Sequence, residues 1–348
     1  LILKVFLINM KYVFKISFLI NLLFFLNNSN AQLLFKINKF GTPGFINNKG
    51  KEMTFPKCQS VADYHESLSR FKKDNLYGFM DSLGEVVINP IYERATNFNE
   101  RFSAVRKNGK WFYIDKNNNI KFEIECNYAF EFSDGLAMIQ KGLNYGFVDT
   151  LGHIVIPIEY EKAHSFSEGL SSVKKNEKWG VIDKKNNVIV PFKYALIGQF
   201  SEGRCHFQIE NENYSKWGYF NVKGEIEIPA SFDKCYPFSE GRAIFRKGSF
   251  KGGRYGFIDT TGKEVIPPIY DGAMSFSSGL AAVSKGLGKL SRYGFIDSDG
   301  EIELNFIYTR ANSFNNNLAF VRIGDYKTGS EGYINKKGKF IWKKNKSK

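Results

Sequence analysis

Lys178-Trp179-Gly180-Val181-Ile182-Asp183, followed by Val188-Ile189-Val190-Pro191, decides how this chain folds, because versions of it recur along the sequence. The order is aromatic, Gly, aromatic or β-branched residue, x, Asp, then a turn and a β-branched run that ends in Pro. It returns as Tyr77-Gly78-Phe79-Met80-Asp81, Tyr145-Gly146-Phe147-Val148-Asp149 and Trp217-Gly218-Tyr219-Phe220-Asn221. Tyr255-Gly256-Phe257-Ile258-Asp259 and Tyr293-Gly294-Phe295-Ile296-Asp297 follow. Trp111-Phe112-Tyr113-Ile114-Asp115 replaces the Gly, and weaker copies stand at Pro43-Gly44 and Glu331-Gly332. The first slots are 43, 77, 111, 145, 179, 217, 255, 293 and 331, a period of 34 residues for four steps and 38 for the next four. A fixed period of this length marks a repeat architecture. The added residues fall in one place, between the Phe-Ser-Glu-Gly motif and the next anchor, so one loop lengthens and the packed part does not change.

Each unit reads as three strands. The first is like Leu280-Ala281-Ala282-Val283, the second is the anchor strand, and the third is β-branched, like Glu264-Val265-Ile266. Between the last two, Asp precedes Gly by three residues (Asp81 and Gly84, Asp149 and Gly152, Asp259 and Gly262, Asp297 and Gly300). Asp bonds its own following backbone and Gly supplies positive φ, which predicts a bulged hairpin turn. Pro then ends the third strand, since it donates nothing to a ladder. The connector spaces Tyr, Ala and Phe by three (Tyr160, Ala163, Phe166), which suits a single 3₁₀-like turn. Both faces of the anchor strand are apolar, so it needs cover on both sides, and stacked neighbours would supply it. The composition, with 34 Phe, 18 Tyr and 32 Gly, agrees with an all-β chain.

The N-terminus is set apart from the repeats. From Met10, Lys11 and Lys15 precede an apolar run over residues 16–26 and a small-x-small site, Ser29-Asn30-Ala31. This reads as a secretory signal peptide cleaved near Ala31, with residues 1–9 upstream of it; the apolar run is short for a membrane span, which needs ~20 residues. Three segments result: 1–31 leader, 32–343 repeat array, and a basic tail over 344–348. Loss of residues 1–31 removes three Lys and no acid, leaving 46 basic against 35 acidic residues. The basic residues are spread along the chain, so no specific nucleic-acid partner is expected, nor a membrane span after cleavage.

The anchors, the Val-Ile-Pro strands and the Phe-Ser-Glu-Gly-Leu segments resemble the WG-repeat (KWG) family, most closely at Lys178-Trp179-Gly180-Val181-Ile182-Asp183 and Lys216-Trp217-Gly218-Tyr219. The resemblance runs from about residue 33 to 342, weakest at Pro43 and Glu331. It implies a β-repeat architecture in exported bacterial proteins, with no catalytic residue and no ligand. Whole three-strand units run from end to end, which favours an open twisted or solenoid-like stack of about nine antiparallel units, with a β-propeller as the alternative. The structural anchors are Tyr77, Gly78, Trp111, Tyr145, Gly146, Trp179, Gly180, Trp217, Gly218, Tyr255, Gly256, Tyr293 and Gly294.

The remaining chemistry is sparse. Cys58 and Cys126 take the connector Tyr slot, while Cys205 and Cys235 take Ala slots, so all four read as packing thiols. His65, His153, His164 and His206 fall at four different repeat offsets with no nucleophile motif beside them. Asp297-Ser298-Asp299-Gly300 has the start of a calcium loop without its later ligands. No catalytic residue, metal site or cofactor is expected. Two functions remain: a non-enzymatic binding or scaffold module of the cell envelope or exterior, or a binder of carbohydrate or wall polymer through exposed rings. Whether the anchor aromatics face solvent separates them.

Overall fold

The computed structural model describes residues 33–344 except 40, 54, 211–213, 250, 251 and 327. The expected leader, and the tail from residue 345, lie outside the described residues. Within them the chain is almost entirely strand, with one short 3₁₀ turn, Gly288–Leu290.

β1 (Leu34–Lys39), β2 (Thr42–Asn47) and β3 (Glu52–Met53) form a three-stranded antiparallel sheet, unit 1. β4 (Ser60–His65), β5 (Leu68–Lys73), β6 (Leu76–Asp81) and β7 (Val86–Tyr92) form unit 2, four strands in chain order. Units 3 to 7 repeat that order; in unit 5 the strands are Lys162–Ala163, Leu170–Lys175, Lys178–Asp183 and Val188–Tyr194. Units 8 and 9 share one long strand, Ile302–Ala311, whose end at Arg310 and Ala311 pairs into unit 9.

The expected three strands per unit are therefore corrected to four, except in unit 1. The connector is not a 3₁₀ turn. It is an extended strand that pairs with the next one, as Ala163 does with Val173. Its spacing of three comes from a bulge: Ala129 faces Ile139 and Phe132 faces Ala137, three residues against two. An extra residue in a bulge returns i and i+3 to the same side. The Phe-Ser-Glu-Gly motif is the hairpin that follows, with Glu168 at φ 57° and Gly169 at φ 81°, the two positive values of a type I′ turn.

A second bulge explains the anchor glycine. Tyr145 faces Tyr160 while Phe147 faces Ile156, so two residues of the third strand oppose four of the fourth. The excess folds over the glycine. A Cβ on Gly256 would lie 2.4 Å from the Ile266 carbonyl oxygen and 2.8 Å from the Pro268 nitrogen. Unit 3 is the control that nature supplies: Phe112 replaces the glycine, and Trp111, Phe112 and Tyr113 pair with Ile124, Glu123 and Phe122 without the excess. Unit 8 has Asn305 where units 4 to 7 have Pro, yet keeps Gly294 and keeps the bulge. The bulge follows the glycine, not the proline.

Neighbouring units pack face to face. On the anchor strand of unit 5, Val181 joins a core with Ile197, Phe200 and Phe207 of unit 6, while Ile182 joins one with Leu136 and Phe147 of unit 4. Burying one such large apolar side chain contributes ~1.5–3 kcal/mol. Nine cores of this kind occur among the described residues, each shared by two units. The ninth joins the two ends: Phe35, Ile37 and Ile46 of unit 1 pack with Leu318 and Trp342 of unit 9. Tyr333 donates its hydroxyl to the Lys36 carbonyl at 2.7 Å, and Trp342 Nε1 donates to Glu52 at 3.1 Å. An open row of nine units has eight interfaces and keeps its end units apart; here the end units touch.

Candidate functional site

The anchor positions lie inside the array. Trp111, Trp179 and Trp217 are buried between units, and Trp111 Nε1 donates to the Asn127 carbonyl at 3.0 Å. Tyr77, Tyr145, Tyr255 and Tyr293 are half-buried at the same register, and Gly78, Gly146, Gly180, Gly218, Gly256 and Gly294 sit under the crossing fourth strand. No anchor Trp offers a solvent-facing ring, which is what a sugar-stacking ladder requires. The acid that closes the anchor is a turn residue throughout: Asp149 Oδ1 accepts the amides of Leu151 and His153 at 2.9 Å. Asp297, the start of the apparent calcium loop, accepts those of Asp299 and Glu301 in the same way.

The thiols and imidazoles do not assemble a reactive centre. All four cysteines are free; burial raises Cys126 to about 11 and both Cys205 and Cys235 to about 12, far from a thiolate at neutral pH. His206 stacks on Trp217 with ring centroids 5.6 Å apart and fills the space left by Gly198. Burial, with Lys234 and His164 nearby, pushes it down to about 4, so it is neutral at physiological pH. His164 stacks on Trp179. Among the described residues no three of His, Cys, Asp and Glu converge to hold a metal, and no helix is long and apolar enough to cross a membrane.

What does vary from unit to unit lies at one end of the sheets. Between the second and third strands, units 2 to 5 have two-residue turns: Asp74-Asn75, Asn108-Gly109, Gly142-Leu143 and Asn176-Glu177. Units 6 to 9 have longer loops over 211–214, 248–253, 286–291 and 324–329. These carry Tyr214, Leu287, Leu290 and Tyr326, which are 50 to 84% exposed. Two of these loops, over 248–253 and 286–291, are held at their base. In units 7 and 8 the residue before the first strand turns its side chain into the loop: Asp233 accepts from Gly248 and Asp271 from Gly286, at 2.7 and 2.8 Å, as Glu93 does from Gly109 at the two-residue turn of unit 3, at 3.2 Å. Lys216 pairs with Asp233 and Arg254 with Asp271 beside them. Beneath, Lys234 Nζ of unit 7 lies 3.7 Å from the centre of the Trp217 ring of unit 6, a cation–π contact between the two units.

At the opposite end, the first-turn acids link unit to unit. The Glu100 carboxylate accepts Asp134 N at 2.7 Å and Gly135 N at 2.8 Å. Glu202 takes Glu240 N and Gly241 N, and Glu240 takes Ser278 N and Gly279 N. Each carboxylate reaches forward to the next turn. Sequence reading used the Phe-Ser-Glu-Gly motif as a landmark and missed this role, since a link between units leaves no mark within one unit.

The description "WG containing repeat" matches the chain in eight consecutive segments, 44–77, 77–111, 111–142, 145–179, 179–212, 217–249, 255–289 and 293–326. The chain belongs to the WG-repeat family. This WG-repeat chain matches no curated protein sequence. Among solved structures it is similar to one described as the crystal structure of the eukaryotic initiation factor, with a TM-score of 0.63 and 11% identity over 90% of this chain and 96% of that one. A weaker likeness, to Porphyromonas gingivalis dipeptidyl peptidase 4, has a TM-score of 0.48 and 11% identity over 90% of this chain and 58% of the other. At such identity the first likeness concerns the fold alone. Family and fold agree with a non-catalytic repeat protein built for binding or scaffolding.

Proposed function

We propose that this WG-repeat chain is an exported binding module, that its nine units close as the blades of a β-propeller, and that the rim of long loops in units 6 to 9 meets a protein partner. The observation that carries the binding role is the confinement of lengthening to one end of four consecutive units, where Tyr214, Leu287, Leu290 and Tyr326 are exposed. Loops on a rigid scaffold are where binding residues concentrate. Closure is supported by the ninth core between units 9 and 1 and by four strands in the other units. The burial of the anchor Trp rings favours a protein partner over a glycan.

The test is a quantitative pull-down from envelope fractions with the wild type and a variant whose four long loops are cut to two-residue turns. The variant is expected to keep its fold and lose the wild type's partners. Equal recovery by both would remove the rim from consideration. The first residue of the protein from the exterior or periplasm is expected to be at or next to Gln32; an intact leader would refute export.

A further inference from the structure

Among the described residues unit 1 has three strands where the others have four, and the one not seen there is the first, which would lie beside β1. In five other units the residue just past that strand donates a backbone N–H to a fixed carbonyl of the second: Thr96 to Ala104, His164 to Ser172, Gly198 to His206, Met274 to Ala282 and Asn312 to Phe320, all at 2.9 Å. Ala104 and His206 face Tyr113 and Tyr219, two residues past the anchor slot; the residue of β1 in that register is Lys36, which faces Phe45. The Lys36 carbonyl accepts the Tyr333 hydroxyl instead. Tyr113 and Tyr219, at the register of Tyr333, donate to the first strand of the unit that follows them, to Phe130 and Tyr236 at 2.8 Å. Tyr333 thus reaches through the place of a missing strand to the strand behind it.

Two residues along, the carbonyls of Arg106, Gln140, Lys174, Gln208 and Ser284 each accept an amide from the segment leading into the first strand. Asn38 holds that register in β1, with no strand beside it among the described residues. Alternate residues of a strand point their backbone groups the same way, so those of Lys36 and Asn38 face the gap and those of Ile37 face β2. The gap is a cleft of about 530 Å³ walled by β1, by Ser60 and Val61 of β4 and by Arg310 of unit 9. Four cations border it, Lys36, Arg310, Arg322 and Lys344. Two carboxylates answer them: Glu331 holds Arg322 and Lys344, and Asp63 holds Lys36. Positive charge is in excess.

We propose that this slot takes an extended acidic segment of a partner protein, which adds itself as the first strand of unit 1. Main-chain bonds to Asn38, and to Lys36 in place of the Tyr333 hydroxyl, would hold it, with Tyr333 turning its hydroxyl to a carbonyl of the added strand as Tyr113 does to Phe130, and the cations would select acidic side chains. The proposal rests on the chain being a binding module, but the slot is separate from the long-loop rim, so loop shortening leaves it intact and the two fail separately.

The probe is fluorescein-labelled Val-Glu-Val-Glu-Val-Glu, with the Val-Lys repeat as its control, followed by anisotropy against the whole chain and the chain from Gln32. Saturable binding of the acidic peptide alone is expected in both. Arg310→Glu, an exposed change, should weaken it at least tenfold. Asn38→Pro removes a gap-facing amide outside the β1–β2 ladder and should weaken it similarly, whereas Asn38→Ala, which loses only the side-chain bond from Gly41 N, should not. No binding, or unchanged binding by Arg310→Glu and Asn38→Pro, overturns the proposal. Binding only by the chain from Gln32 would give the slot to the chain's own N-terminal residues, and self-association abolished by Asn38→Pro would give it to a second copy; either overturns a partner segment.

Discussion

Gly256 and Gly44 occupy the same motif position in surroundings that differ. A Cβ on Gly256 would meet the backbone of the crossing strand at 2.4 Å, whereas on Gly44 the nearest atom is Ile37 Cγ1 at 3.7 Å. Gly256→Ala should therefore cost ~3 kcal/mol, at the upper end of overpacking effects. Gly44→Ala should be neutral or stabilising by ~0.5 kcal/mol, because alanine narrows the unfolded ensemble. Urea melts of the two variants check this, and equal losses would refute the crossing-strand account. His206 gives a pH prediction. Its folded pKa lies near 4, below the usual value for an unfolded chain of ~6.5. The stability it supports is complete above pH 6.5 and is lost as pH falls toward 4, by ~3 kcal/mol in order of magnitude. Methionine holds the same register in unit 4, where Met138 faces Phe147 as His206 faces Tyr219. His206→Met should flatten the stability profile between pH 6.5 and 4.5 relative to wild type; parallel profiles would refute a buried neutral imidazole.

At the scale of strands and loops, the sequence made the anchor strand, the Asp-to-Gly turn and the position of loop lengthening legible, because each depends on residues close along the chain. Asp149 with Leu151 and His153 is such a case. The first strand was not legible, since its bulge turns a two-residue alternation into the three-residue spacing of Ala129 and Phe132. The division of labour between core and loop gives the next prediction. Trp179, packed with Val190 and Tyr194 against Ile197 and Phe207, should cost ~3–5 kcal/mol on change to Ala. Replacing the loop over 248–253 by a two-residue turn should cost under ~1 kcal/mol, because closure entropy varies slowly with loop length. Thermal melts decide between them. A larger loss from the loop would mean that core and surface are assigned the wrong way round.

On the scale of the whole molecule, the meeting of units 1 and 9 was out of reach of periodicity. Nothing repeats in the pair Lys36 and Tyr333, which meet across almost the whole described chain. The candidate slot was hidden for the same reason: the array was read as whole three-strand units, so unit 1 looked complete. If the ninth interface is equivalent to the other eight, Phe35→Ala should lower stability throughout. Hydrogen exchange of backbone amides in unit 5, the unit of Trp179, should then rise together with that in units 1 and 9. Faster exchange confined to unit 1 would mean that the end contact is an ornament of an otherwise independent row.

The forward-reaching carboxylates of the first turns have a genetic consequence. Because Glu202 grips the turn of unit 7 as Glu100 grips that of unit 4, every such link is made of the same two parts in the same order. An in-frame duplication or loss of one unit by recombination rejoins a donor turn to an acceptor turn without creating an unmatched end. The chemistry of the links is indifferent to how many there are; only the meeting of Phe35 with Trp342 counts them. Gene copies with other unit numbers would thus be screened by whether the first and last units still come together, and hardly at all by the joints between.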